Sequence, residues 1–337
     1  MLSLKAAQLG LRTHIYAPQT CEPAFEVAAF HTCASYGDED ALRKFAQDVD
    51  VVTYEFENVP SKTVALLSSL KTVLPPPRAL AIAQDRLAEK KFIQLLNFPL
   101  AAFHAVNTVE DIQDAVNAIG LPAVLKTQRL GYDGKGQALV KNLEETQRAF
   151  SQFAQAASVL EAFINLKKEI SVLVVRGRNN ETVVYDAIEN VHRNHILQTS
   201  TVPASISASL ERQAKAIALQ LIEGLDYTGT LAVEFFIDKD DHLLVNEIAP
   251  RVHNSGHLTL DACLTCQFEN HIRAIAGWPL GRADRTHNAI MTNLIGNEVN
   301  NWQNALSDKD NCLWIYGKTE AKPGRKMGHV TKLLPLA

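Results

Sequence analysis

The feature that most constrains this chain is a pair of apolar runs, Leu231-Ala-Val-Glu234-Phe-Phe-Ile237 and Leu243-Leu-Val-Asn246-Glu247-Ile248, separated by Asp238-Lys-Asp-Asp241. Short apolar runs on either side of a polar turn form a β-hairpin. Counting back from a turn over 238–241 puts Glu234 opposite Val245, with Glu247 two positions further along the same face. Such diagonal neighbours lie about 7–8 Å apart at Cα, a separation at which two carboxylates can share one or two magnesium ions with triphosphate oxygens. A charge among apolar residues is costly unless it is paired or bound to metal, so Glu234 and Glu247 are expected metal ligands. The alternative is a one-sided sheet that points both carboxylates to solvent.

Upstream the pattern is different. Apolar positions over Met1–Leu9, Gly10 in the place of a helix C-cap and the run Thr13–Ala17 read as the helix and second strand of a β-α-β unit without its first strand. A helix over Asp40–Gln47, a buried strand over Val49–Tyr54 and a helix from Pro60 to Leu70 follow. Alternation at this spacing predicts a parallel sheet with helices on its faces, and Glu55, Glu57 and Asn58 then fall beyond a strand's C-terminal end, where ligands gather. Pro75–Pro77 marks a boundary before a basic helix over Leu80–Leu96. From Leu121 to Ile248 short strands alternate with close turns, among them Glu169–Val175 and Thr182–Ile188, interrupted by helices over Leu143–Ala157 and Ser207–Leu225. Another helical run is expected over Leu258–Ile275; beyond Trp278 periodicity is weak.

With a net charge of −4 the chain has no general basic field for nucleic acid, so any attraction for phosphate is local. Apolar stretches such as Leu121–Leu125 fall far short of the ~20 residues of a membrane helix, and Met1–Gly10 does not read as a signal peptide. Five scattered cysteines suit reduced thiols in cytosol. Cys263 and Cys266 lack a second pair at zinc spacing and read as packing residues.

Three further strings carry chemistry. Gly131-Tyr132-Asp133-Gly134-Lys135-Gly136-Gln137 follows Lys126 at the end of an apolar strand, and three glycines in it free backbone N–H groups to face a phosphate while Lys135 adds a cation. It is not a Walker A loop; it reads as a hairpin turn, which can also be a phosphate flap. Arg251-Val-His253-Asn254-Ser-Gly-His257 supplies donors that can steady a carboxylate, phosphate or acyl intermediate. Tyr316-Gly-Lys318 and Pro323-Gly-Arg325-Lys-Met-Gly328-His329 suit a sugar-phosphate monoester, with a solvated basic tail as the alternative.

In order, Tyr54-Glu-Phe-Glu-Asn-Val, Ala83-Gln-Asp-Arg86, the Gly131–Gln137 string, Glu189-Asn-Val-His192-Arg, Asn246-Glu-Ile-Ala-Pro-Arg-Val-His-Asn-Ser-Gly-His and Pro323–His329 resemble the N5-carboxyaminoimidazole ribonucleotide synthases over nearly the whole chain. The resemblance implies an ATP-grasp fold, α/β and α+β, in three parts. These are a truncated Rossmann-like pre-ATP-grasp domain over 1–78, an ATP-grasp domain over 79–277 with a lid at about 120–190, and a small C-terminal domain over 278–337. It implies ATP- and bicarbonate-dependent carboxylation of 5-aminoimidazole ribonucleotide through carboxyphosphate in purine biosynthesis. Magnesium, with manganese as a substitute, serves as the metal. A homodimer in the cytoplasm is implied, with no nucleic-acid or membrane partner.

By position, the resemblance assigns ATP binding to Arg86, Lys126, Gly131–Gln137, the strand end Glu161-Ala162-Phe163-Ile164, Glu169, His192, Asn246 and Glu247. Glu234 and Glu247 match metal ligands. Asp133, Lys318 and Arg325 match ribonucleotide-binding positions, with Tyr132, His253 and Asn254 nearby. Glu55 or Glu57 lies near the carboxyphosphate site, and Lys126, Lys135, Arg251, His253 and Asn254 complete the reacting centre; no proton-transfer base is assigned.

Family members begin with a strand and a Gly-Gly-Gly-Gln-Leu-Gly-like turn ahead of the helix that here starts at Met1, and they run further past His329. The expectation is either a truncated or misassigned start or a short form with impaired turnover. Rival readings are another ATP-grasp ligase, such as formate-dependent glycinamide ribonucleotide transformylase or a biotin carboxylase-like subunit, and a catalytically silent nucleotide-binding subunit.

Overall fold

The computed structural model describes residues 1–131 and 135–336. In the N-terminal unit α1 (Leu2–Gln8) leads into β1 (His14–Ala17), which pairs in parallel with β2 (Phe30–Cys33). Helices α2 (Glu39–Gln47) and α3 (Ser61–Leu70) follow; Asp38 caps α2, its side chain accepting from the Ala41 N–H at 3.0 Å. Leu42, Phe45, Val52, Val64 and Leu67 form the core between them.

The strand expected over Val49–Tyr54 is corrected. That run makes one isolated parallel bridge, Val52 to Val73, held by Val52 N–H to Thr72 O and Leu74 N–H to Val52 O, both 2.9 Å. Among the described residues no strand flanks its other side; a cavity of about 790 Å³ lies there, walled by Ile15, Tyr16, Phe45, Val52, Val64 and Leu67. A segment with one irregular neighbour has too few backbone partners to extend as a ladder.

The single helix expected over Leu80–Leu96 is two, α4 (Pro77–Ala83) and α5 (Arg86–Leu95). Asp85 makes the break, its carboxylate accepting from Leu87 N–H and Ala88 N–H at 3.1 Å as the N-cap of a new helix. Gln84, in the joint, donates to Glu57 O at 2.8 Å and Val59 O at 2.7 Å, so the break pins the Glu55–Asn58 string to α5.

Two sheets make the body of the molecule. The smaller has the order β3 (Phe103–Val106), β6 (Ser158–Ala162), β4 (Ala123–Thr127), β5 (Gln137–Val140), with α6 (Asp111–Ile119) and α7 (Leu143–Gln152) packed on it. The larger contains β7 (Leu166–Arg176), β8 (Thr182–Val184), β9 (Ile188–Arg193), β10 (Ile196–Val202), β11 (Gly229–Asp238) and β12 (Leu243–Ala249), and continues through β13 (Asn288–Ile295), β14 (Asn311–Ile315) and β15 (Lys326–Leu334). Its order is β12-β11-β7-β9-β10-β13-β15-β14, with β8 also on β7. Alternation along β7 explains its place at the centre. Ile170, Val172 and Val174 face the cluster built with α8 (Ala208–Gly224), whereas Leu173 and Val175 belong to the cluster on the other side.

Two more expectations are corrected. The strand over Thr182–Ile188 splits at Tyr185–Ala187 into β8 and β9. Leu258–Ile275 is not one helix: a short 3-10 turn, Asn254–Leu258, leads into α9 (Thr259–Ala262), and α10 (Gln267–Ala276) starts after Cys266. Cys266 lies in the core between α1 and α10, and Cys263 packs at the edge of the central cluster. The C-terminal stretch, where periodicity is weak, extends the large sheet through β13, β14 and β15, with a 3-10 turn over Gly296–Asn301 and α11 (Trp302–Ala305) between β13 and β14. No helix among the described residues is long and apolar enough to cross a membrane.

Candidate active site

The hairpin β11–β12 carries two carboxylates to the gap between the sheets. Its turn is one residue longer than expected, with Ile237 opposite Leu243, and Asn246 bulges out between Val245 and Glu247. Both changes move the register the same way, so Glu234 stands directly opposite Glu247 rather than opposite Val245. Directly opposed residues share a face and lie closer than a diagonal pair. An all-oxygen donor set of two carboxylates suits a hard divalent cation that keeps several ligands for phosphate.

Each carboxylate has a basic side chain beside it. His253 Nε2 is 3.1 Å from Glu234 Oε1, and Arg86 Nη1 is 3.3 Å from Glu247 Oε2. Burial works against charge on Glu234, but His253, aided by His192 and Arg251, holds the carboxyl below its usual range. His253 is fixed from behind: its Nδ1 lies 2.8 Å from Ser255 Oγ, which lies 2.7 Å from Ser171 Oγ, which accepts from Asn190 at 3.0 Å.

The small sheet supplies positive charge from the other side. Lys126, on β4, and Lys90, on α5, both reach Glu161 Oε2, at 3.0 and 3.1 Å. Burial opposes ionisation of Glu161, yet the two ammonium groups keep its carboxyl below the ordinary value; burial draws Lys126 down, with Glu161 opposing. One carboxylate for two ammonium groups leaves surplus positive charge at a pocket wall, which is what an entering polyphosphate needs. Glu161 Oε1 is buried without a partner.

The glycine string connects β4 to β5 as a hairpin, Lys126 opposite Gln137. Arg86 Nη2 donates to Gly131 O at 3.3 Å, and Gln137 Nε2 lies 3.2 Å from Nδ1 of His195 at the β9–β10 tip, so the loop's base is tied to both sheets. Tyr132, Asp133 and Gly134 lie outside the described residues.

Glu57 meets Arg251 through one oxygen, Oε2, which accepts from Nε at 2.8 Å and lies 2.7 Å from Nη2, so the two side chains are held together. Glu55 is exposed and lies apart from that pair, on the side of Tyr316 and Lys318, whose charges it influences. Lys318 Nζ donates to Lys326 O at 2.6 Å, and Arg325 Nη1 donates to Glu320 O at 3.1 Å.

A cavity of about 350 Å³ joins these groups. Arg86, Lys126, Gly131, Lys135, Gln137, Glu169, His192, Glu234, Asn246, Glu247, Arg251, His253, Asn254 and Glu57 line it. Glu169 Oε2 and His192 Nδ1 sit 2.7 Å apart on neighbouring strands.

Residues 1–84 match the ribonucleotide synthetase preATP-grasp domain, 91–268 the ATP-grasp domain, and 289–335 the phosphoribosylaminoimidazole carboxylase C-terminal domain. N5-carboxyaminoimidazole ribonucleotide synthase of Brucella melitensis is 46% identical over 337 residues, covering 99% of this chain and 93% of the relative. The chain belongs to the N5-carboxyaminoimidazole ribonucleotide synthase family. The Bacillus subtilis synthase is 41% identical, with 98% of this chain and 87% of that one covered. A crystal structure of an N5-carboxyaminoimidazole ribonucleotide synthetase with ADP superposes at a TM-score of 0.95, with 38% identity and coverage of 98% of this chain and 88% of that one. That of the Aspergillus clavatus synthase with ADP and 5-aminoimidazole ribonucleotide gives 0.92 at 28% identity, covering 99% and 90%. Membership of the synthase family makes this chain an ATP-grasp ligase of purine biosynthesis.

Not all positions assigned to the synthase site line the cavity. Glu161 sits behind Lys126, Ala162 ends β6 with Phe163 and Ile164 just beyond it, and Glu55, Gly136, Lys318 and Arg325 lie outside the lining. Conversely, Gln84, Glu89, Gln128 and His195 line it without having been singled out for ligand binding, and Asn58 and Lys326, from two of the polar strings, line it as well. Glu89 accepts from the Ile248 N–H at 2.7 Å, and burial, reinforced by Glu247, pushes its carboxyl up to about 8. In the sequence Glu89 is one charge in a basic helix; only the helix phase relative to Arg86, three residues earlier, could have drawn it in.

Proposed function

We propose that the chain uses ATP and bicarbonate to convert 5-aminoimidazole ribonucleotide to N5-carboxyaminoimidazole ribonucleotide, releasing ADP and phosphate. The observation that carries the reading is that Glu234 and Glu247, opposed across β11–β12, line one cavity together with Arg86 and Lys126.

In this reading Glu234 and Glu247 hold divalent magnesium, which supplies charge neutralisation and orientation of the polyphosphate. Lys126 and Arg86 take phosphate oxygens, and Glu169 with His192 borders the nucleotide. A bicarbonate oxygen attacks the γ-phosphorus and the bond to the β-phosphate oxygen breaks, giving carboxyphosphate and ADP. Arg251, fixed by Glu57, with His253 and Asn254, steadies the anion. Loss of phosphate then frees carbon dioxide, the exocyclic amine forms the new C–N bond, and its proton leaves to phosphate or solvent. Lys318 and Arg325 hold the ribonucleotide phosphate. The loop 131–137 excludes water, which would otherwise hydrolyse carboxyphosphate. Five unpaired cysteines support a reducing cytoplasm, and the reading includes a homodimer, checked by gel filtration.

The test is coupled ADP release with each substrate omitted in turn. ADP formation that requires 5-aminoimidazole ribonucleotide is expected; stimulation by glycinamide ribonucleotide instead would move the chain to the transformylase reaction.

A further inference from the structure

Tyr316 lies just past β14, and Gly317, at φ +72°, turns the chain so that Lys318 comes back over the tyrosine ring, its Nζ 5.4 Å from the centroid. The ring itself is held at its far end. Tyr316 Oη is 2.7 Å from His329 Nδ1 and 3.0 Å from His257 Nδ1. His329 is fully buried on β15, next to Trp314, whose ring stacks on it at 6.3 Å and 17°.

A chain of one-way hydrogen bonds fixes which atoms donate. The Leu197 carbonyl only accepts, so Asn293 must present Nδ2 to it, at 2.9 Å. The same amide nitrogen donates to Asn254 Oδ1 at 2.7 Å, and Asn254 Nδ2 then has hydrogens for Asn293 Oδ1 at 3.0 Å and His257 Nδ1 at 3.2 Å. His257 Nδ1 is therefore an acceptor, so the Tyr316 hydroxyl donates to it and in turn accepts from the His329 Nδ1–H. Burial keeps both imidazoles neutral: His329 is pushed down to about 3 and His257 well below its ordinary value. The network is thus uncharged and directional, running from His329 on β15 through Tyr316 to His257, which Asn254 meets from the other side.

We propose that Tyr316 is a positioning residue for the ribonucleotide site, its hydroxyl locking the ring against which Lys318 is oriented. Through the 2.6 Å bond from Lys318 to the Lys326 carbonyl, the same clamp sets Lys326 at the edge of the cavity that Asn254 also lines. The inference rests on the assignment of Lys318 to the ribonucleotide, and a cationic ring contact of this kind has both the geometry and the strength to orient an ammonium group.

Tyr316→Phe keeps the ring and removes the clamp. It is expected to raise the KM for 5-aminoimidazole ribonucleotide about three- to ten-fold, the range one hydrogen bond commands, with the KM for ATP unchanged. Because the effect passes through Lys318, Tyr316→Phe should add nothing to the KM of Lys318→Ala. A Tyr316→Phe enzyme in which both KM values are unchanged overturns the proposal, as does an equal additional rise in the Lys318→Ala background. If Lys318→Ala itself leaves the ribonucleotide KM unchanged, the site assignment fails and takes the proposal with it. Should Tyr316→Phe not yield folded protein, His329→Phe removes the hydrogen-bond partner from the other end and is held to the same outcomes.

Discussion

Glu234 and Glu247 stand directly opposite one another across the β11–β12 ladder, and each already has a basic side chain at hand, His253 for the first and Arg86 for the second. These contacts offset two carboxylates forced together on one wall. In the proposed reading, a divalent ion held by the two carboxylates would free the imidazole and guanidinium for the phosphates that arrive with it.

The three-way contact at Glu161 makes the first prediction. Glu161→Gln leaves Lys90 and Lys126 buried without their counter-charge, at a cost of about 3–5 kcal/mol. Lys90→Met should cost less, since Glu161 keeps Lys126. Thermal melts of the two variants check the order; a smaller loss for Glu161→Gln contradicts it.

Arg325 follows Gly324 within the C-terminal basic run and is expected to grip the ribonucleotide phosphate. Arg325→Ala should raise the ribonucleotide concentration needed for half-maximal rate, by the about 1.5–3 kcal/mol of a charge-assisted contact. Steady-state kinetics at saturating ATP measure this, and an unchanged requirement places the phosphate elsewhere.

Gly136 adopts φ +67°, and a Cβ there would lie 2.4 Å from Thr127 Oγ1. Gly136→Ala therefore displaces the base of the loop, and a shift of this kind costs on the order of ten- to a hundred-fold in turnover. Adding Thr127→Ala removes the clash but not the strained φ, so the double variant should recover part of the rate. No recovery would mean that the clash is not what limits the loop.

Acid sensitivity follows from neutral buried histidines. His271, between Thr230 N–H at 3.1 Å and Thr53 Oγ1 at 2.8 Å, is pushed by burial to about 4, and His329 to about 3. Their folded values lie below the unfolded 6.5, so the unfolded chain binds more protons and stability falls as pH drops through 6.5. Each contributes up to about 1.4 kcal/mol per pH unit until its folded value is reached. Glu89 acts oppositely, losing stability as pH rises from 4.5 toward 8. Melts in metal-free buffer should show a rising midpoint from pH 5 to about 6.5, with a shallower slope in His271→Gln; a flat profile would contradict the assignment.

The hairpin was legible because both of its strands are apolar and its turn is polar, but its register was not. The extra turn residue and the bulge at Asn246 are decided by the pairing of β11 with β7, which no local pattern reports. β15 escaped for a related reason: its buried positions include His329 and Thr331, polar groups whose surroundings come from distant segments, so periodicity of apolar residues is weak. At the site, Glu57 and Arg251 were marked by polar strings at strand ends. Lys90 was not, since a lysine in a basic helix looks solvated until Glu161 covers it.

The central claim is that the opposed carboxylates bind the metal that carries ATP. Its most direct test is ADP formation by Glu247→Gln, with circular dichroism and the thermal midpoint measured on the same preparation. The account predicts turnover reduced by roughly a hundred-fold or more in a folded protein, the scale of losing a metal-held phosphate geometry. Near-normal ADP formation by that variant would contradict it.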